Sequence, residues 1–176
     1  MRALPQTYFP QRVSEIRKVD YQKIAAEALR YAHLEKLQPA TIDRVKICAM
    51  FIDCQLTFCH PDFELPVIGA MDDVTRSCDF IYRNVDVISK IVFTMDTHIA
   101  QQIFHSVFFV DKDGNNPPPY TQISVDDIAS GKWMVNPAVA SGFGGGFTGL
   151  EQHVLHYAKT LADGGKYALS IWPFHA

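Results

Sequence analysis

The chain of 176 residues lacks long apolar runs, basic clusters and a leader-like N-terminus. No apolar stretch approaches the ~18 residues that a membrane-spanning helix needs. The N-terminal segment, MRALPQTYFPQRVSEIRK, has no apolar region of the kind that a secretory signal carries. The net charge of -3 is spread over the chain, and no basic run would follow a phosphate backbone. We therefore expect neither a membrane nor a nucleic acid as a partner.

Cysteine is also scarce, and its spacing excludes two common roles. Cys48, Cys54, Cys59 and Cys78 form neither a CxxC pair nor the dense framework of a small secreted domain. Reduced thiols in the cytoplasm are the expectation that follows. Apolar residues make up 48% of the chain and charged residues 20%, which is typical of a domain that buries a core. The composition therefore predicts a cytoplasmic globular protein.

Three mostly apolar runs alternate with segments of helical periodicity. The runs are VKICAMFID (45–53), DVISKIVFTMD (86–96) and KYALSIW (166–172). A continuous apolar run is typical of a strand that is covered on both faces, as in a parallel sheet. Apolar residues at three- and four-residue spacing predict helices at about 20–34, 71–83 and 150–162. This alternation indicates an α/β fold with right-handed crossovers.

The segment from about residue 106 to 149 interrupts the alternation. Its DKDGNNPPPYTQ stretch excludes regular structure, and SGFGGGFTG is flexible by composition. A short helix from Val125 to Ala129 is expected, with Ser124 and Asp127 as an imperfect capping box. The glycines lack the preceding strand of a dinucleotide fingerprint, so a hinge or lid is favoured over nucleotide binding. We expect a long loop that covers a binding site.

Polar side chains follow all three apolar runs. Asp53 ends the first run, Asp96 and then His98 end the second, and His175 follows the third. Ligands of open parallel sheets bind beyond the carboxyl ends of the strands, so these side chains are expected at one rim. Asp96, His98 and His175 suit a divalent metal ion, with zinc first and iron or manganese also compatible. Two alternatives stay open: Asp53 as a helix cap or ion-pair partner, and each histidine as an ordinary loop residue.

Three short motifs after the runs resemble those of the isochorismatase-like cysteine hydrolases, and their order is closest to the nicotinamidase (pyrazinamidase) branch. The motifs are D-x-Q-x-x-F (Asp53, Gln55, Phe58), D-x-H (Asp96, His98) and W-P-x-H (Trp172, Pro173, His175). The resemblance implies a three-layer sandwich with a mostly parallel, Rossmann-like sheet that is incomplete at the C-terminus here. Residues 1–44 would be a helical extension, and 45–176 the N-terminal part of the hydrolase domain with an insertion at about 106–149.

The resemblance also implies a reaction and a role for each motif residue. A small heteroaromatic amide such as nicotinamide would be hydrolysed to the acid and ammonia through a covalent thioester. The implied roles are catalytic base for Asp53, metal ligands for Asp96, His98 and His175, and substrate contacts for Gln55, Phe58 and Trp172. Aromatic walls offer stacking area to a flat substrate.

Two departures from the family pattern limit this reading. The catalytic lysine and cysteine are expected beyond residue 176, so the chain alone should lack amidase activity. Cys54 adjoins Asp53, but successive strand residues point to opposite faces, so it is poorly placed as the nucleophile. The spacing of His105 after D-x-H is one residue longer than expected, which leaves its role as a ligand open.

A second function remains open beside the hydrolase. It is a non-catalytic isochorismatase-like protein that binds a ligand or a metal. An exposed sheet edge would also favour association between copies of the chain, so a homo-oligomer is also expected.

Overall fold

The computed structural model describes residues 4–175, which form two compact units divided between Asp96 and Thr97. The division differs in position from the domain boundary expected after residue 44, which stays a prediction. The helices are α1 Tyr21–Leu34, α2 Leu56–Cys59, α3 Ala70–Arg83, α4 Val125–Ala129, α5 Pro137–Ala140 and α6 Gly146–Asp163. The strands are β1 Cys48–Phe51, β2 Lys90–Phe93, β3 Phe109–Val110, β4 Gln122–Ile123, β5 Met134–Val135 and β6 Leu169–Ser170. Helices combined with small sheets confirm a mixed α/β architecture.

The first unit is built on a parallel pair of strands. β1 and β2 pair in register from Cys48 with Lys90 to Phe51 with Phe93. α3 connects them in sequence, as predicted for residues 71–83, and α1 confirms the helix predicted from Asp20 to Leu34. The Asp20 carboxylate accepts the Lys23 backbone N–H at 3.0 Å, which is the expected N-cap.

The sheet of the first unit is more open than its apolar sequence predicted. β1 alternates exposed and half-buried residues, so the expectation of strands covered on both faces is wrong for this pair. In the part of the chain that the structure describes, β1 and β2 pair only with each other. Each strand therefore keeps one unpaired edge.

The second unit contains the well-packed core. Phe109, Val135, Val154 and Ile171 are completely buried there. α6 contributes Leu150, Val154 and Ala158 at helical spacing, which confirms the predicted apolar face. The helix begins at Gly146, earlier than the predicted residue 150, because Gly145 and Gly146 adopt positive φ and turn the chain into it.

The segment from residue 106 to 149 holds more regular structure than the expected long loop. β3 pairs antiparallel with β5, and α4 matches the predicted short helix. Its capping box is complete: Ser124 Oγ accepts the Asp127 N–H at 3.1 Å, and Asp127 Oδ2 accepts the Ser124 N–H at 3.0 Å. The stretch around Pro117–Pro119 is irregular, as predicted.

The third apolar run forms a much shorter strand than predicted. Only Leu169 and Ser170 are a strand, β6, and it pairs antiparallel with β4. A single parallel sheet that unites all three runs is therefore not confirmed. The run has a different partner because residues 122–123, which lie inside the predicted loop, supply backbone hydrogen-bonding groups to it. Within residues 4–175, no helix has the length and apolar character needed to cross a membrane.

Candidate metal centre

Three histidines of the second unit lie together. The ring centroids of His98 and His175 are 4.8 Å apart, those of His105 and His175 5.5 Å, and those of His98 and His105 6.0 Å. His105 and His175 are only 1% and 5% exposed. The Phe104 ring packs edge-on against His98 at 4.8 Å, so the imidazoles lie in a partly apolar setting.

The backbone around Trp172 brings two distant parts of the sequence side by side. The Trp172 N–H donates to the Phe104 carbonyl at 2.8 Å, and His105 and Trp172 form a parallel bridge. On the other side, the Ile171 N–H donates to the Thr121 carbonyl at 2.8 Å. This clamp fixes the start of W-P-x-H next to the segment that carries His105.

Hydrogen bonds set the tautomer of His175. Its Nδ1 lies 2.6 Å from the Pro173 carbonyl oxygen. A carbonyl oxygen can only accept, so Nδ1 carries the proton and the lone pair lies on Nε2. A backbone carbonyl on one ring nitrogen is the usual way to orient the other nitrogen toward a metal.

His105 shows the same pattern, although its sequence spacing left its role open. Its Nδ1 lies 3.2 Å from the carbonyl oxygens of both Ile99 and Ala100, so Nδ1 donates. Its Nε2 is buried and has no hydrogen-bond partner among residues 4–175. Burial lowers the pKa of His105, and the nearby His175 and His98 lower it further. A neutral imidazole with an inward lone pair is the form that binds metals.

Asp96 is positioned by the side chain of Gln55. Gln55 Oε1 accepts the Asp96 N–H at 2.8 Å, and Gln55 Nε2 donates to the Asp96 carbonyl at 3.2 Å. The donor atoms of Asp96, His98 and His175 all lie within 4.8 Å of one another. The structure thus brings together the three side chains that the sequence selected as ligands.

Asp53 is held at the end of β1 by Thr94. The Asp53 N–H donates to Thr94 Oγ1 at 3.1 Å, and the Thr94 hydroxyl donates to Asp53 Oδ1 at 3.0 Å. Asp53 has a φ of 54°, in the left-handed region. It makes no ion pair within the described range, and the cap of α2 is Gln55. The two ordinary roles considered for Asp53 are therefore not found.

The remaining sequence-selected side chains have separate surroundings. Phe58 is half-buried and lines a cavity of about 390 Å³ with Asp53, Cys54 and Cys59. Trp172 is partly exposed and lies edge-on to Tyr120, with centroids 6.2 Å apart. The contacts of Phe104 and Phe174 with the histidines were missed from sequence, although Phe104 directly precedes His105.

Two of the cysteine thiols, Cys59 and Cys78, lie in surroundings that oppose ionisation. Burial raises the pKa of both the Cys59 and the Cys78 thiol, and the nearby Cys54 adds to each shift. A raised pKa lowers the fraction of thiolate, the nucleophilic form. Neither residue therefore has the environment of a catalytic nucleophile.

Comparison of the chain with protein-family models, curated proteins and solved structures finds no match. A functional assignment must therefore rest on the motifs and on the geometry of the histidine cluster.

Proposed function

We propose that this chain forms the metal centre of a small-amide hydrolase of the isochorismatase-like, nicotinamidase type. The proposal includes the three-layer α/β fold of that superfamily. The observation that carries it is the proximity of the Asp96, His98 and His175 donor atoms, within 4.8 Å of one another. Asp96 and His98 belong to one motif and His175 to another that lies far along the chain, so sequence proximity does not explain why they meet.

The donor set fits a zinc ion. One carboxylate and two imidazoles leave an open position in a tetrahedral site. Zinc binds such donors at about 2.0–2.2 Å, so two ligands of a tetrahedral ion lie about 3.4 Å apart. Donor atoms that lie within 4.8 Å of one another would draw together around a bound ion. His105 lies beside this donor set, with its ring centroid 5.5 Å from that of His175, and is not counted among the three ligands.

The protein residues would have distinct tasks in this proposal. The bound metal would supply a Lewis acid that orients the ring nitrogen of a heteroaromatic amide. Gln55 holds the backbone of Asp96, the residue that would supply the carboxylate ligand. Asp53, held by Thr94, accepts the proton of the nucleophile as general base. Phe58 and Trp172 contact the flat ring of the substrate.

Zinc binding by histidine variants tests the ligand assignment. His98→Ala and His175→Ala should each weaken zinc affinity by at least about 100-fold, because each removes one of few coordinate bonds. Competition with a chromophoric chelator measures the affinity. His153→Ala is the matched control, since His153 is exposed on α6. Unchanged zinc affinity in both His98→Ala and His175→Ala would contradict the assignment of these residues as metal ligands.

The substrate class can be tested without turnover. We expect nicotinamide to change the visible absorption spectrum of the cobalt-substituted protein, because its ring nitrogen would enter the cobalt coordination sphere. Benzamide has the same shape without that nitrogen and should leave the spectrum unchanged. Equal spectral changes with both amides, or none with either, would contradict ring-nitrogen recognition.

A second candidate is a non-catalytic protein that binds the metal and the amide. Burial raises the pKa of Cys59 and Cys78, so neither thiol of this chain supplies a ready nucleophile. Release of ammonia from nicotinamide by the zinc-loaded chain would exclude the non-catalytic candidate. The hydrolase proposal places the catalytic lysine and cysteine beyond residue 176, so the cobalt spectral change without release is expected from both candidates.

A further inference from the structure

An open cavity of about 700 Å³ lies in the first unit, between the N-terminal segment and the first turns of α1. Its lining comes from residues 5–9, Arg12, residues 17–20 and the start of α1. These positions precede every motif used for the proposed function. The cavity lining shares no residue with the candidate metal centre.

Positive charge dominates the lining. Four cations, Arg12, Arg17, Lys18 and Lys23, face two carboxylates, Asp20 and Glu27. Both arginines contact Glu15, at 2.7 and 3.4 Å. Lys18 and Lys23 make no ion pair in the part of the chain that the structure describes. These two ammonium groups can bind an anion without breaking an existing pair.

The two carboxylates of the lining offset only part of the charge of its four cations. Asp20 accepts the Lys23 backbone N–H and is used as the helix cap. Glu27 is half-buried further along α1. A carboxylate beside two lysines suits a ligand that carries hydroxyl or amino donors as well as an anionic group.

An exposed aromatic ring borders the same cavity. Phe9 is 47% exposed and is free to stack on a flat ligand. Its neighbour Tyr8 is held in place: its hydroxyl donates to Asp79, and its ring lies edge-on to Tyr82 at 5.1 Å. The wall that carries Phe9 is thus anchored to α3.

We propose that this cavity binds a nucleoside phosphate. The phosphate contacts Lys18 and Lys23, the base stacks on Phe9, and Glu27 accepts a sugar hydroxyl. The volume falls within the roughly 300–1,000 Å³ of small-molecule sites. A simple inorganic anion would leave the aromatic wall and most of that volume unused.

Calorimetric titration with adenosine 5′-monophosphate tests the proposal on the full chain, with EDTA present to keep metal from the histidines. We expect saturable binding at one site that weakens as salt is added. Lys18→Ala/Lys23→Ala should weaken it by at least about tenfold, and Phe9→Ala by about tenfold, the size of one lost base stack. Lys159→Ala, an exposed lysine of α6, is the matched control.

Adenosine and inorganic phosphate separate the two parts of the ligand. Both should bind more weakly than the monophosphate, since each makes only half of the contacts. Absence of saturable binding, or wild-type affinity in the double lysine variant, overturns the site. Inorganic phosphate that binds as tightly as the nucleotide, with Phe9→Ala unaffected, overturns the nucleoside part. Unchanged circular dichroism of Phe9→Ala and of the double lysine variant excludes unfolding as the cause of lost binding.

Discussion

Gln55 connects two of the sequence motifs through one side chain. Both ends of its amide bond to the backbone of Asp96, the N–H on one side and the carbonyl on the other. The sequence suggested a substrate contact for Gln55, and that role stays a prediction. The observed role is to position the residue that carries a candidate metal ligand.

Replacement of Gln55 should therefore weaken metal binding without removing a ligand. We expect Gln55→Glu to lower zinc affinity by about tenfold or more, because a carboxylate cannot donate to the Asp96 carbonyl. Chelator competition measures the change. Gln152→Glu makes the same replacement at an exposed site of α6 and should leave affinity unchanged. Equal affinities in the two variants would mean that the Gln55 contact does not support the centre.

The left-handed backbone of Asp53 makes a second prediction at this scale. Asparagine tolerates positive φ and can still accept the Thr94 hydroxyl, whereas alanine can do neither at low cost. We expect Asp53→Asn to keep about the wild-type free energy of unfolding and Asp53→Ala to lose about 1–2 kcal/mol of it. Urea denaturation measures both. A less stable Asn variant would show that the Asp53 charge, not its conformation, stabilises the turn.

The ligand candidates could be selected from sequence because each one belongs to a recognisable motif that follows an apolar run. Asp96, His98 and His175 needed only the rule that side chains converge beyond strand ends. His105 could not be assigned, because its evidence is a buried Nε2 and two backbone carbonyls on Nδ1. Those features depend on tertiary packing, which residue spacing does not specify.

Among the elements, α4 gives the clearest link between sequence and stability. Its capping box is complete, and Lys132 adds a contact to Asp127 Oδ1 at 2.7 Å. The hydrogen bond from Lys132 lowers the pKa of Asp127, and the Ser124 N–H lowers it further. The helix is only five residues long, so its ends account for much of its stability.

We expect Ser124→Ala to lower the free energy of unfolding by about 1 kcal/mol. We expect Asp127→Asn to change the pH dependence of that free energy. Because the folded-state pKa of Asp127 lies below its unfolded value, its contribution is complete above the unfolded pKa. That contribution is lost as the pH falls through the folded pKa. The free energy of unfolding, measured with urea between pH 7 and pH 3, should therefore fall less on acidification in Asp127→Asn than in the wild type. Parallel curves for the two proteins would contradict this.

The sequence predicted long helices better than strands. α1, α3 and α6 have apolar residues at helical spacing, a signal that is local to each helix. β3, β4, β5 and β6 have two residues each, too few for a pattern to be recognised. Their pairing depends on which distant backbone groups are within reach, so the partner of the third apolar run could not be predicted.

At the scale of the whole molecule, burial is uneven. The buried hydrophobic residues of the described range all belong to the second unit. The first unit keeps two unpaired strand edges and exposes Met50 and Phe93 on its sheet, with exposed Ile52 directly after β1. Unpaired edges with apolar neighbours favour association between copies of a chain.

We therefore expect the protein to self-associate as its concentration rises, and Met50→Lys to reduce this association. A lysine on an edge strand must be desolvated when another strand pairs with it. Sedimentation velocity at several concentrations measures the effect. Tyr167→Lys adds the same charge at an exposed aromatic residue outside the sheet and should change little. A monomer at all concentrations would contradict the prediction.

The backbone hydrogen bonds from Trp172 to Phe104 and from Ile171 to Thr121 have a consequence for the order of folding. His98 and His105 lie near the start of the second unit, and His175 lies near its end, so their meeting closes a long loop. Closure of such a long loop comes late in folding, because the chain loses conformational entropy before the contact can stabilise it. The three imidazoles therefore cannot act as a nucleus for folding. In a stopped-flow refolding experiment, zinc capture by these histidines would mark the last phase of the second unit.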